Sequence, residues 1–334
     1  MREDDIHPGP VARKAHQIGP VSDGLVGLTL LVLHKLEDSF GYYDVATGRE
    51  TTRIQTRPFP HEICLDPAKQ KIYIAEMGVR GIESEGAGGH TVSVFDTVTG
   101  KKTSTIDTGQ YDRPHGVAAY ENKLYVTSES TKHLLIYDLD TEELIKAVYL
   151  DQECAHMVSV TPDGRAAYTA NIWSNTITAV DTVNYRVLHH IPVPERPEGM
   201  VFSPDGSLIY CVCREAYAVA VIDREQARMV DTIEIGNGPV RIVITPDGSR
   251  LGIPLFHSSR VEVADTRTRK VIRSISIGPH PAGTCLSPDG RFLFVSCEEE
   301  NMVYVLDMES MEIIQKIQTG NGADAMVCIK NQNK

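Results

Sequence analysis

The chain has 334 residues, 41% of them apolar, and a net charge of −12. No apolar run approaches the roughly 20 residues that a membrane-spanning helix needs. The acidic balance, with no basic run, argues against nucleic acid, whose binding rests on neutralising phosphates.

Residues 1–21 carry charges and prolines and lack the hydrophobic stretch of a signal peptide. They are expected to form a tail or a strap, and the expected setting is cytoplasmic. Residues 22–334 are expected to form a single domain, since an all-β array often runs long as one unit. It begins with three strands that have no first partner, near Thr29–Leu33, Gly41–Asp44 and Thr51–Gln55.

A repeat then takes over. Pro60-His61, Pro114-His115 and Ala155-His156 each open an apolar strand, and the same slot recurs at Pro197-Glu198, Pro239-Val240, Pro281-Ala282 and Ala323-Asp324. The slots are 54, 41, 42, 42, 42 and 42 residues apart. A period near 42 built from short strands marks a β-propeller blade. Between Pro197 and Pro239 the unit reads as four strands: Gly199–Ser203, Leu208–Val212, Val219–Asp223 and Met229–Ile235. TPDG and SPDG turns recur from Thr161, Ser203, Thr245 and Ser287, with Gly supplying the positive φ. Each third strand ends in Asp, at positions 44, 96, 138, 181, 223, 265 and 307, where turn chemistry accounts for the residue. Seven such ends predict seven four-stranded antiparallel blades. The last first strand, Ala325–Lys330, has no followers, so it should close the ring by pairing with the orphan N-terminal strands.

One connection departs from the period. Between Met77 and His90 about 12 extra residues, rich in glycine, are inserted between second and third strands. Residues 78–90 read either as a lid over the site or as a tolerated surface insertion. Of the seven cysteines, Cys64, Cys211, Cys285 and Cys328 fall in apolar strand patterns, so free thiols in a reducing compartment are expected.

Equivalent slots in successive blades surround one axis, so His61, His115, His156 and Glu198 should converge. Strand-one starts and strand-two ends share one face of an antiparallel blade. That face also receives His34, Glu76, Glu129, Trp173, Arg214, His257 and Glu298. Three imidazoles with a carboxylate suit Zn, Fe or Mn, with Mg as a more loosely held alternative. Two other readings stay open: a metal-free acid–base pocket, and a ring of imidazoles bonded to neighbouring backbone.

The segments TPDGRAAYTAN…ITAVD, SPDGSLIYCVC…VAVID and SPDGRFLFVSC…VYVLD resemble the YVTN-type repeat of seven-bladed propellers across nearly all of residues 22–334. PHEICLDP and RPHGVAAY look most like the lactonase-like group, and the streptogramin lyase-like group is also similar. The resemblance implies opening of a lactone or ester by hydrolysis or elimination. The residue roles rest on convergence of the slots rather than on the resemblance: His61, His115, His156 and Glu198 are expected to hold a divalent metal. Glu76, Glu129 or His257 serves as general base, Glu198 assists, and Arg214 orients an anionic or carbonyl group of a small-molecule substrate. The rival class is a non-catalytic propeller that binds a protein or ligand on one face. Neither a nucleic-acid nor a membrane partner is expected.

Overall fold

A computed structural model describes residues 16–17 and 23–331. Seven antiparallel sheets, six of four strands and one of four with an added edge strand, stand around one axis, forming a seven-bladed β-propeller. Blades 1 to 7 are opened by inner strands at Pro60–Asp66, Pro114–Tyr120, Ala155–Val160, Pro197–Phe202, Val243–Ile244, Pro281–Leu286 and Ala323–Lys330. The ring closes as expected: Ala323–Lys330 pairs with Leu28–His34, which continues into Ser39–Asp44 and Arg49–Gln55. Of the 1–21 segment, only His16–Gln17 is described; it pairs with Glu312–Gln318 at the outer edge of blade 6. The rest of that tail lies outside the described residues.

The middle strands are buried along nearly their whole length because each blade is sandwiched between two others. Strand residues alternate between faces. Leu30 and Val32 therefore pack against Phe292, Phe294 and Val303 of blade 6, while Leu31 and Leu33 pack against Ile72, Ile74 and Phe95 of blade 1. The core is thus divided into seven interblade packets, with each fully buried aliphatic side chain contributing about 1.5–3 kcal/mol. Outer strands are correspondingly polar; Arg228–Glu234 buries one residue of seven.

Inner strands approach closely, and glycine permits it. A Cβ on Gly116 would lie 2.5 Å from the His156 carbonyl oxygen, and one on Gly283 would lie 2.0 Å from that of Asp324. Thr127 bridges the same gap, accepting from the Gly116 amide at 2.8 Å and donating to the His156 carbonyl at 2.6 Å. All seven cysteines are free thiols.

Candidate active site

Three concentric sets of positions build one mouth of the propeller. The residue before each slot sits in the left-handed region: Phe59, Arg113, Cys154, Arg196, Gly238, His280 and Gly322. Five of these are neither glycine nor asparagine, and non-glycine residues resist that conformation. Each is held by one recurrent hydrogen bond. Its carbonyl accepts from the amide just past the second strand, at Met77, Glu129, Ile172, Arg214, Phe256, Glu298 and Lys35 respectively, at 2.7–3.2 Å. This bond turns the chain onto the axis and fixes the slot residue that follows. Slot, kink and exit positions therefore share one rim.

The slots line a cavity of about 730 Å³ with Lys35, Arg196, Arg214, Phe256, His257, His280 and Glu298 above them. On one side the histidines form a stair. The His61 and His115 rings lie 5.1 Å apart, and those of His115 and His156 stack at 3.7 Å. His156 Nδ1 donates to Glu129 Oε1 at 2.5 Å. Burial opposes a charge on His156, but the Glu129 hydrogen bond and the Glu129, Glu198 and Glu62 carboxylates outweigh it and raise the pKa. Burial, with His156 and His61 alongside, pushes His115 well below the ordinary imidazole value. Two charged rings would not stack face to face, so the proton belongs to His156 and His115 stays neutral.

His61 is tied differently. Its Nε2 lies 3.1 Å from the Arg80 carbonyl, which can only accept, so the proton sits on Nε2. Burial and the nearby Lys35 charge lower its pKa to about 3. Its Nδ1 faces Asp324 at 3.7 Å.

A charge network floors the cavity. Arg241 pairs with Glu62 of blade 1 and with Asp324 of blade 7, the latter at 3.0 Å; Lys35 joins Asp324 to Glu298 at 3.0 Å each. Burial would raise the Asp324 pKa, but Lys35 and Arg241 depress it below the usual carboxylate range. Burial raises that of Glu62 against the pull of Arg241. Across the cavity Arg214 pairs with Glu198 at 3.1 Å, meets His257 Nε2 at 3.2 Å and lies over Phe256. Burial and the Arg214 charge lower the His257 pKa.

The expected residues fall into two groups. His61, His115, His156, Glu198, Arg214 and His257 line the cavity, and Glu129 stands behind His156. Glu76 does not line it. Its carboxylate turns into blade 1, accepting from Thr91 and Ser93 hydroxyls at 2.6 Å each and from the Arg57 amide at 2.8 Å. His34 likewise bonds Ser39 and Tyr43 inside blade 7. Both stand one residue short of the exit position, and in a strand one residue reverses the face. As metal ligands, the four expected residues divide. Glu198 is engaged by Arg214, and His61 Nε2 by Arg80. The compact donor set is His115, Glu129 and His156, whose ligand atoms lie within 4.8 Å of one another. His115 Nδ1 and Glu129 Oε2 are buried with no hydrogen-bond partner, so this set fits a divalent cation.

Sequence reasoning missed Lys35, Arg196, Arg241 and His280. Arg196 and His280 immediately precede the slot prolines, so the repeat itself marked them. Arg241 follows an apolar slot, and Asp324 occupied the seventh slot without being read as part of the site.

No protein-family model matches this sequence, and no curated protein matches it. Solved structures do. A periplasmic gluconolactonase from Pseudomonas aeruginosa is 18% identical with a TM-score of 0.76, over 91% of this chain and 99% of that one. A candidate 6-phosphogluconolactonase from Bacteroides uniformis is 14% identical with a TM-score of 0.77, over 90% and 99%. Hydrazine synthase from Kuenenia stuttgartiensis is 19% identical with a TM-score of 0.68, over 82% and 91%. Identities this low establish the shared seven-bladed fold.

Proposed function

We propose that the protein is a small-molecule enzyme that opens a lactone or ester by hydrolysis in the axial cavity. The observation that carries this reading is the Glu129–His156–His115 arrangement on the cavity wall. Glu129 accepts the Nδ1 hydrogen bond of His156, and above the raised His156 pKa the ring is neutral, which leaves Nε2 as a base for a water molecule. The water adds to the substrate carbonyl as His156 takes its proton. The ring C–O bond then breaks, and His156 returns the proton to the departing alkoxide. Neutral His115 packs against the dyad and excludes water from one face. Arg214, held by Glu198, supplies donors for the carbonyl or an anionic substituent. With a divalent Zn, Mn, Fe or Mg ion bound, His115, Glu129 and His156 would hold it in place of the Glu129–His156 hydrogen bond, and the ion rather than His156 would supply polarisation of the carbonyl and activation of the water. Two of the fold neighbours bear lactonase names, which agrees with this chemistry.

The test is acid release from a panel of γ- and δ-lactones and aryl esters, followed in a pH-stat. E129Q and H156N are expected to lower kcat by about 10²–10⁴, the usual contribution of a positioned base, with unchanged melting. Folded wild-type protein that releases acid from no member of the panel, before or after loading with divalent metals, would overturn the reading.

A further inference from the structure

The inserted loop reaches into the cavity with two acceptors. Its neck is pinned: the Gly89 amide donates to the Met77 carbonyl at 2.7 Å, and a Cβ on Gly78 would lie 2.1 Å from the Gly89 nitrogen. Arg113 of blade 2 holds its outer side through the carbonyls of Ile82, Ser84 and Gly86, at 3.3, 2.5 and 2.6 Å. The tip, Arg80–Ser84, lines the cavity itself. There the Arg80 carbonyl accepts a hydrogen bond from His61 Nε2, and Glu83 spans the mouth to reach Arg196 of blade 4 at 3.1 Å. Arg196 is built as a receptor. It lies 4.4 Å from the Trp173 ring centroid, and Glu215 steadies its other terminal nitrogen at 3.4 Å. Glu83 is the solvent-facing partner, with 73% of its side chain exposed against 18% for Arg196.

The loop thus presents one carbonyl oxygen and one carboxylate to two donors that the blades hold in place. We propose that residues 78–89 carry a surrogate ligand. The Arg80 carbonyl and the Glu83 carboxylate occupy His61 and Arg196 until a substrate bearing both a carbonyl and a carboxylate displaces them and lifts the tip. This deepens the reading of the cavity as a lactone site and rests on it for the substrate class: a carboxylated lactone over a neutral one. It makes Glu83 and Arg196 specificity-determining residues of opposite sign.

Hydrogen–deuterium exchange of the 80–86 amides is measured with and without two probes, a γ-lactone bearing a ring carboxylate and the neutral γ-valerolactone. The carboxylated probe should speed exchange in wild type, and the neutral one should not. E83Q should exchange faster without any probe and show a KM for the carboxylated lactone lowered about 1.5- to 5-fold, the span of an exposed ion pair, a larger change than in kcat. R196Q should also loosen the loop but raise that KM. A purely structural ion pair would move both variants the same way. Exchange that ignores both probes, or E83Q and R196Q shifting KM in one direction, would overturn the inference. If exchange responds to the carboxylated lactone while no lactone is hydrolysed, the surrogate ligand stands and the hydrolase reading fails.

Discussion

Glu129 and Glu76 occupy neighbouring positions of equivalent strands in adjacent blades and have opposite fates. Glu129 is an exit residue and reaches His156; Glu76 ends its strand one position earlier and is consumed by two hydroxyls of blade 1 and by the Arg57 amide of the connection leading into it. Removing the second carboxylate strands those donors in the interior, at about 1–3 kcal/mol for a buried unsatisfied group. Glu76→Ala should therefore lower unfolding free energy by at least that amount in urea titrations, while E129Q spares stability and lowers kcat by about 10²–10⁴. Sequence spacing brought both glutamates to the right end of the right strand. It did not resolve them, because adjacent residues at a strand end point to opposite faces, and only the hydrogen bond to the kinked residue marks which of them turns toward the axis. His115 and His156 were legible because a rigid inner strand fixes their direction; the partner that makes His156 a base was one candidate among several.

At the scale of the element, the recurring TPDG and SPDG turns do the repetitive work. Thr161, Ser203 and Thr245 hydroxyls donate to Asp163, Asp205 and Asp247 at 2.5–2.6 Å. Those hydroxyls, ahead of the backbone amides, hold the three carboxyls at about 2 against an ordinary 3.8. A carboxyl depressed by folding stabilises the fold fully above its unfolded value and loses that contribution as pH falls through its folded value. The stability conferred by these turns should hold above about pH 4 and fade toward pH 2. The combined D163N, D205N and D247N variant should show a flatter acid limb there by circular dichroism; an unchanged limb would mean other carboxylates dominate. The turns were plain in the sequence because Gly and Pro have few other uses in such a short segment. The left-handed kinks before the slots were not, because Phe59, Arg113 and His280 are poor signals for a positive φ.

The whole molecule is closed twice, by a sheet and by charge. Ala323–Lys330 completes blade 7, and Asp324 on that strand meets Lys35 and Arg241 from two other directions. A chain ending before Ala323 should lose its single cooperative melting transition, since it loses a central strand and opens an edge. Arg241→Met should cost about 3–5 kcal/mol in urea titration, because it leaves Glu62 and Asp324 buried without their partner. Blade number and closure were legible because a period of 42 residues is a global signal that no local ambiguity erases. The ionic floor was not, since Lys35, Glu62, Arg241 and Asp324 are remote in sequence and only ring closure makes them neighbours.

Trp173 is the chain's one tryptophan, and it lies against the guanidinium of Arg196 beside the Glu83 contact. Its emission arises from a single indole, with no other indole to dilute it. Any event that shifts that cation at the rim should change intensity or wavelength in untagged protein, so a stopped-flow fluorimeter can time ligand entry with no dye attached.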